Sequence, residues 1–288
     1  MLSRKDYIQL LICLVLWAGN VIAIKLAVGA VEPMVAATLR FVCAGLLFLP
    51  FIKWPDRRTL KIVFQISMLM NVLHIGTLFI ALDMLDAASV SILLQTQVVF
   101  ATLLGVVIFK ESIHWRTWTG MALAALGIIV MLGEPDMMNH PQGVGIMLFS
   151  CLCLALSYVR MKHLQTVHPA TYVCLINLFA APIAFGASIV MAPESWQGLH
   201  TVDWHIFAPL LAYQAVLVSS THIIWQRLMH RGDVGKVTAF TLLIPFFTIM
   251  LSVAILGEHI SWSMIIGGLI TMAGVGIITL RRIQKGIA

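Results

Sequence analysis

Charged side chains are scarce in this sequence: Asp, Glu, Lys and Arg make up 10% of its 288 residues, where soluble domains carry roughly 25%. Hydrophobic residues make up 60% and the mean hydropathy is +0.98. No stretch long enough for a soluble domain is free of long apolar runs, so the bilayer must serve as solvent for nearly the whole chain. A disulfide framework is also missing. The five cysteines, Cys13, Cys43, Cys151, Cys153 and Cys174, lie inside apolar runs, where a thiol behaves as a small hydrophobe. There is no Gly-x-x-x-x-Gly-Lys-Ser/Thr run, no His-Glu-x-x-His and no Gly-x-Ser-x-Gly. Nucleotide-driven, zinc-dependent and serine-nucleophile chemistry lose their usual signatures, and His200 with His205 alone makes a poor metal site. No metal and no cofactor is expected.

What the chain has instead is long uncharged runs. A helix needs about 20 apolar residues to cross the hydrocarbon layer. Nine runs qualify without Asp, Glu, Lys or Arg: Tyr7 to Ile24, Ile62 to Leu82, Ala87 to Phe109, Thr117 to Gly133, Met137 to Val159, Leu164 to Pro193, Trp204 to Gln226, Val237 to Gly257 and His259 to Leu280. A tenth, Met34 to Ile52, is interrupted only by Arg40. The first run exceeds the roughly 7–15 residues of a secretory signal core, and is read as a retained helix. The spacing therefore predicts an all-α integral membrane protein of ten transmembrane helices.

The loops test that count, because short cytoplasmic loops collect Lys and Arg while exported loops lack them. Lys53, Arg57, Arg58 and Lys61 lie between spans two and three, and Lys110 and Arg116 between four and five; Arg160 and Lys162 follow span six. Arg227, Arg231 and Lys236 follow span eight, and Arg4 with Lys5 and Arg281, Arg282 with Lys285 flank the first and last spans. The five intervening loops contain none. This alternation places both termini in the cytoplasm, in a multi-pass protein. The net charge of +6 is thereby drawn to anionic inner-leaflet lipid, with no need of nucleic acid.

The chain also repeats itself. Residues 86–127 align without gaps to residues 233–274 at an offset of 147, with identity at eleven positions. The pairs include Asp86/Asp233, Val90/Val237, Phe100/Phe247, Glu111/Glu258, Ile113/Ile260, Trp115/Trp262, Gly120/Gly267 and Gly127/Gly274. A repeat of five helices, an odd number, enters the membrane from opposite sides. The expected organisation is an inverted 5+5 repeat, 1–135 with helices one to five and 136–288 with helices six to ten. Two oppositely mounted halves around a shared site are the architecture of many secondary transporters.

At these motifs the sequence resembles the EamA group of the drug/metabolite transporter superfamily over essentially its whole length. The residues that carry the resemblance are Trp17-Ala18-Gly19-Asn20, Ile24-Lys25 and Leu39-Arg40-Phe41 in the first half, and Leu243-Ile244-Pro245 and Leu256-Gly257-Glu258 in the second. The sequence departs at Phe109-Lys110-Glu111, where Leu-Gly-Glu is common, and at Val98, the counterpart of Pro245. The resemblance implies efflux of amino acids, related metabolites or drugs across a bacterial cytoplasmic (inner) membrane. The expectation is a secondary exporter of small metabolites, coupled to proton exchange. An uptake carrier of the same fold and an intramembrane enzyme acting on lipid-linked substrates stand as the alternatives.

Polar groups in lipid are costly and usually point into the bundle. Lys25 lies near the outer end of span one, and Arg40 about 10 Å deep in span two by helical rise. Both are candidates to attract a substrate carboxylate, or to pair with Asp83 or Asp86. Histidine ordinarily titrates near neutrality, which makes His74 and His222 candidates for proton movement. Asn20, Asn71, Gln95 and Gln214 offer hydrogen bonds without a buried charge, and Trp17, Tyr158 and Trp225 offer apolar lining. Each of these also has a structural reading as a snorkelling, helix-joining or packing residue. Gly120, Gly127, Gly267 and Gly274 allow close helix packing, either within one subunit or in a homodimer.

Overall fold

The structure, a computed structural model, describes residues 3–110, 114–164, 167–231 and 240–285. Within these, the regular structure is helical. The principal helices are α1 (Arg4–Val28), α2 (Pro33–Phe48), α3 (Arg57–Met84), α4 (Ala87–Leu93 and Thr96–Phe109), α5 (Trp115–Met131) and α6 (Pro141–Met161). They continue as α7 (Pro169–Met191), α8 (Trp204–Ala212, Tyr213–Val218 and Ser219–Arg231), α9 (Phe240–Leu256) and α10 (Trp262–Lys285). Eight have the length and apolarity to cross a membrane, and α5 and α9 are shorter apolar helices. Large apolar side chains such as Val107, Ile129, Val190 and Leu269 are exposed around the bundle. They need lipid as their solvent, and the chain is a multi-pass membrane protein. Trp54, Trp115, Trp204 and Trp262, exposed at helix ends, suit the headgroup layer.

Helix starts follow local chemistry. Ser3 and Asp6 form a capping box on α1, Glu32 accepts Val35 N ahead of Pro33 on α2, and Asp56 accepts Arg58 N and Thr59 N on α3. These caps carry the helices beyond the uncharged runs, so α1 continues through Lys25 to Val28 and α3 begins at Arg57. In the other direction, the run from Leu164 becomes helical only at Pro169, where proline is favoured at a first helical position. The counterparts Lys110 and Gly257 both adopt left-handed backbone, at φ 52° and 69°. Lys110 thus takes a conformation that favours glycine. Of the repeat pairs, Glu111, Ile113, Asp233 and Val237 lie outside the described residues.

The hydrogen-bond ladder departs from α in three long helices. The segments Met68–Ile75 of α3, Tyr213–Val218 of α8 and Ser252–Leu256 of α9 are π-helical, and α4 breaks at Leu94 and Gln95. No proline causes that break. Carbonyls freed there are met by side chains instead: Thr96 Oγ1 donates to Leu93 O at 2.8 Å, and Cys151 Sγ lies 3.5 Å from the same oxygen. The Cys151 thiol is thus a weak donor as well as a small hydrophobe.

The core is uneven along the bundle. One continuous group of buried residues joins Ile24 and Val28 of α1, Phe41 of α2, Phe79 to Leu85 of α3, Ile92 and Leu93 of α4, Met147 of α6 and Phe207 of α8. All lie toward the end that bears Glu134, Asp136 and Glu258. At the opposite end the buried residues described form two separate groups, one of Phe48, Val63, Ile66 and Val173 to Ile176, the other of Leu10 and Leu228.

The tightest helix pair is α5 with α10. A Cβ on Gly120 would lie 2.8 Å from Gly274 O, and one on Gly127 only 2.5 Å from Gly267 O. The reverse contacts are as close, with Gly267 meeting Gly127 O at 2.6 Å and Gly274 meeting Gly120 O at 2.5 Å. These faces are spent on each other within one subunit. They are not a surface left for a homodimer. Backbone oxygen cannot step aside as a flexible side chain can, so Gly274→Leu should destabilise the fold by at least the roughly 1–3 kcal/mol of ordinary overpacking. Gly145, with open space around its Cβ position, should accept Leu with little change. Melting temperatures in detergent compare the two, and equal values would contradict the packing account.

Candidate functional site

Nine of the eleven sequence-predicted residues lie on α2 or on helices that pack with it: Trp17, Asn20 and Lys25 on α1, Arg40 on α2, Asn71 and His74 on α3, and Gln214, His222 and Trp225 on α8. Arg40 is 5% exposed, its Nη1 has no hydrogen-bond partner, and its guanidinium stands 5.9 Å from the Phe79 ring centroid. Its charge acts on both His74 and His222. Pairing with Asp83 or Asp86 does not occur, and Asp83 is exposed at the end of α3. A guanidinium in this position has only a weak π contact to offset the loss of water.

Several neighbours are positioned by identifiable contacts. Trp17 Nε1 donates to Thr221 Oγ1 at 2.7 Å. Its ring lies 4.8 Å from that of Trp225 and 5.8 Å from that of His222. Tyr213 OH crosses over Gly19 to donate to Leu16 O at 2.8 Å, and a Cβ at Gly19 would collide with that hydroxyl. On the other side, Ser150 Oγ donates to His74 O at 2.9 Å and lies 2.8 Å from His74 Nδ1. Serine has one hydroxyl proton, so with that proton on the carbonyl, Nδ1–H must be the donor to Ser150. A neutral His74 then keeps Nε2 as an acceptor. Asn20 Oδ1 and Gln214 Oε1 are buried acceptors without a donor, and Gln214 is 1% exposed.

Four of the eleven make other contacts or stand at the break in α4. Lys25 Nζ donates to Leu85 O at 2.9 Å and so caps the end of α3. Asn71 Nδ2 bonds Ile176 O and Asn177 Oδ1, joining α3 to α7. Tyr158 OH bonds Gln97 Oε1 at 3.0 Å, joining α6 to α4. Gln95 sits at the break in α4, buried, with Nε2 unpartnered. Ser150, Phe79 and Tyr213 escaped the sequence reading. A lone serine or aromatic in an apolar run carries no signal of its own; only Gly19, small beside Trp17 and Asn20, hinted that another group fills its space.

A second set of contacts closes the acidic end. Glu258 accepts from Ala87 N at 2.7 Å and Ala88 N at 3.0 Å, capping the start of α4 from the far side of the chain. Asp86 N donates to Asp136 Oδ2 at 3.1 Å. Buried Glu134 accepts from Ser261, and from Ser263 Oγ at 2.9 Å, at the start of α10. Among the described residues no three His, Cys, Asp or Glu side chains are grouped to hold a metal ion. Burial, and then the charges of Asp136 and Glu258, raise the Asp86 carboxyl pKa from its ordinary value, with Lys25 acting against them. A raised carboxyl binds its proton more tightly folded than unfolded, so stability falls as pH climbs above the ordinary aspartate value of about 4. Asp86→Asn should therefore melt higher than the parent at pH 7, and the difference should close toward pH 4. A difference that grows on acidification would reverse the sign and refute the assignment.

The family model described as the EamA-like transporter family matches residues 5–133 and 141–280. A protein of Escherichia coli (strain K12) named "probable amino-acid metabolite efflux pump" is 26% identical, with 96% of this chain and 95% of that protein covered. An "uncharacterized transporter" of Archaeoglobus fulgidus is 24% identical over 98% of this chain and 100% of its own. A solved crystal structure shares the fold at a TM-score of 0.63 and 18% identity, covering 97% of this chain and 99% of that one.

Proposed function

This chain belongs to the EamA-like transporter family, a family of transporters and not of enzymes, and on that premise we propose that it exports amino acids or related small metabolites by alternating access. The observation that carries the proposal is the uneven core. Continuous packing closes one end of the bundle, the partnerless polar groups of Arg40, Asn20 and Gln214 lie below it, and at the other end the buried residues that are described form separate patches. That is the form expected of a carrier caught with its central site shut off from one compartment. The metabolite named in the Escherichia coli relative's title supplies the substrate class.

In this reading the protein lies in the bacterial inner membrane with both termini cytoplasmic, as the Lys and Arg alternation favours. The acidic end then faces outward and the structure is the inward-facing state. Units 1–135 and 136–288 are inverted repeats of five spans each. Three correspondences support that relation: the reciprocal contacts of Gly120 with Gly274 and Gly127 with Gly267, the left-handed pair Lys110 and Gly257, and irregular backbone in α4 at 94–95 and in α9 at Phe240–Leu243. Trp17, Asn20, Arg40, His74, Gln214, His222 and Trp225 form the substrate site, Gln95 adds a polar group at the broken helix, and Lys25, Asn71 and Tyr158 hold the surrounding helices. His74 and His222 serve proton exchange, while the basic loops meet lipid headgroups and no nucleic acid.

Two measurements test this. Purified protein in sealed vesicles should carry an unaltered radiolabelled amino acid or related metabolite, with flux rising when a proton gradient opposes it and falling when that gradient is collapsed; no flux across a broad panel would end the carrier reading, and indifference to the gradient would end proton exchange. Glu258→Ala removes the cap on α4, so it should open the outer end. Ser89, fully buried on the first turn of α4, becomes the reporter: S89C should react with an impermeant maleimide from outside at least about tenfold faster in the Glu258→Ala background. Equal reactivity would show that Glu258 does not hold the gate.

A further inference from the structure

Ten of the 12 Asp and Glu residues are described, and each lies in a loop or near the end of a helix. Among the described residues Arg40 therefore has no carboxylate at its depth. Among the described residues it also has no ion pair, and its Nη1 is orphaned. A guanidinium stays protonated under essentially all conditions, so the site carries a permanent positive charge that the protein leaves unneutralised. Stability would be better served by an apolar residue. The missing anion must come from outside the fold.

From this charge balance we infer that the site selects ligands of net charge −1, small carboxylates whose neighbouring substituent is a neutral hydrogen-bond donor, in preference to zwitterions. The inference rests on the carrier reading and specifies its substrate class. A carboxylate on Arg40 makes the occupied site neutral, and its planar oxygens match the guanidinium fork. The unfilled acceptors Asn20 Oδ1 and Gln214 Oε1 stand on helices that pack with α2 and with each other. They suit an O–H or amide N–H beside the carboxylate. An ammonium group at the same place returns the site to a net positive charge with only amide dipoles to meet it. A ligand without the carboxylate, carrying only a cation, meets repulsion from Arg40. Ligands favoured on these grounds are 2-hydroxy acids and N-acylated amino acids.

The leucine series isolates charge at nearly constant shape: 2-hydroxy-4-methylpentanoate and N-acetyl-leucine (−1), leucine (zwitterion) and leucinamide (cation). Binding is read by quenching of tryptophan fluorescence, with Trp17 and Trp225 at the site, and transport by flux into vesicles. The two monoanions should bind at least about tenfold more tightly than leucine, with leucinamide weakest. Arg40→Gln should erase the preference and Arg40→Lys should keep it in weakened form; if Arg40→Gln does not fold, the parent ranking and the lysine variant decide. Leucine binding as well as the hydroxy acid, leucinamide binding comparably, or no acid binding at millimolar concentration overturns the inference. Binding in the expected order without flux would keep charge selection and sink the carrier reading, whereas flux with leucine preferred would do the reverse.

Discussion

In hydrocarbon, every backbone N–H and C=O must find a partner inside the protein, and the departures from that rule's simplest solution organise this molecule. Straight α-helices satisfy it without help. Where α4 breaks at Leu94 and Gln95, the Thr96 hydroxyl and the Cys151 thiol supply donors to the freed carbonyls. At the start of α4 the donors are met by Glu258 from the other half of the chain. At the end of α3, Lys25 meets Leu85 O. Each irregularity thus ties two distant segments together through obligatory groups, and each tie is a point at which the bundle can be held or released.

The two ends of the bundle use different means. Near the acidic end, side chains interlock in one continuous core and the carboxylates of Glu134, Asp136 and Glu258 bridge helix starts. At the basic end, the buried residues that are described group on α2, α3 and α7 on one side and on α1 with α8 on the other. Between these extremes, α5 and α10 are locked backbone to backbone through four glycines. A contact of that kind has no side chains to rearrange. It behaves as a fixed seam, whereas α3, α8 and α9 carry π-helical segments whose ladders already deviate from the α pattern.

Polar residues within the bundle divide by whether the fold has satisfied them. Asn71, Ser150, Tyr158 and Trp17 are bonded to other helices. Arg40 Nη1, Asn20 Oδ1, Ser89 Oγ, Gln95 Nε2 and Gln214 Oε1 are buried without partners. Leaving such groups unmet costs about 1–3 kcal/mol each, and more for a charge. A fold tolerates that cost where a ligand removes it.

Residue type and spacing were enough to fix the all-helical membrane class, because lipid imposes length and apolarity rules that act along the chain and need no tertiary partner. Trp17, Asn20, Arg40 and Gln214 were legible as candidates for the same reason: a polar group in a long apolar run is conspicuous. Which of them the protein itself satisfies was not legible. Asn71 and Asn20 look alike in sequence, yet the first is bonded across to α7 and the second is orphaned, and only the packing of α3 on α7 makes that difference. The sequence also allowed Arg40 to pair with Asp83 or Asp86; the fold turned Asp83 outward, placed Asp86 among other carboxylates and left the arginine alone. Tertiary structure likewise drew the continuous core together near the acidic end, through contacts between distant segments, such as Glu258 with Ala87 and Ala88, that spacing along the chain does not reveal.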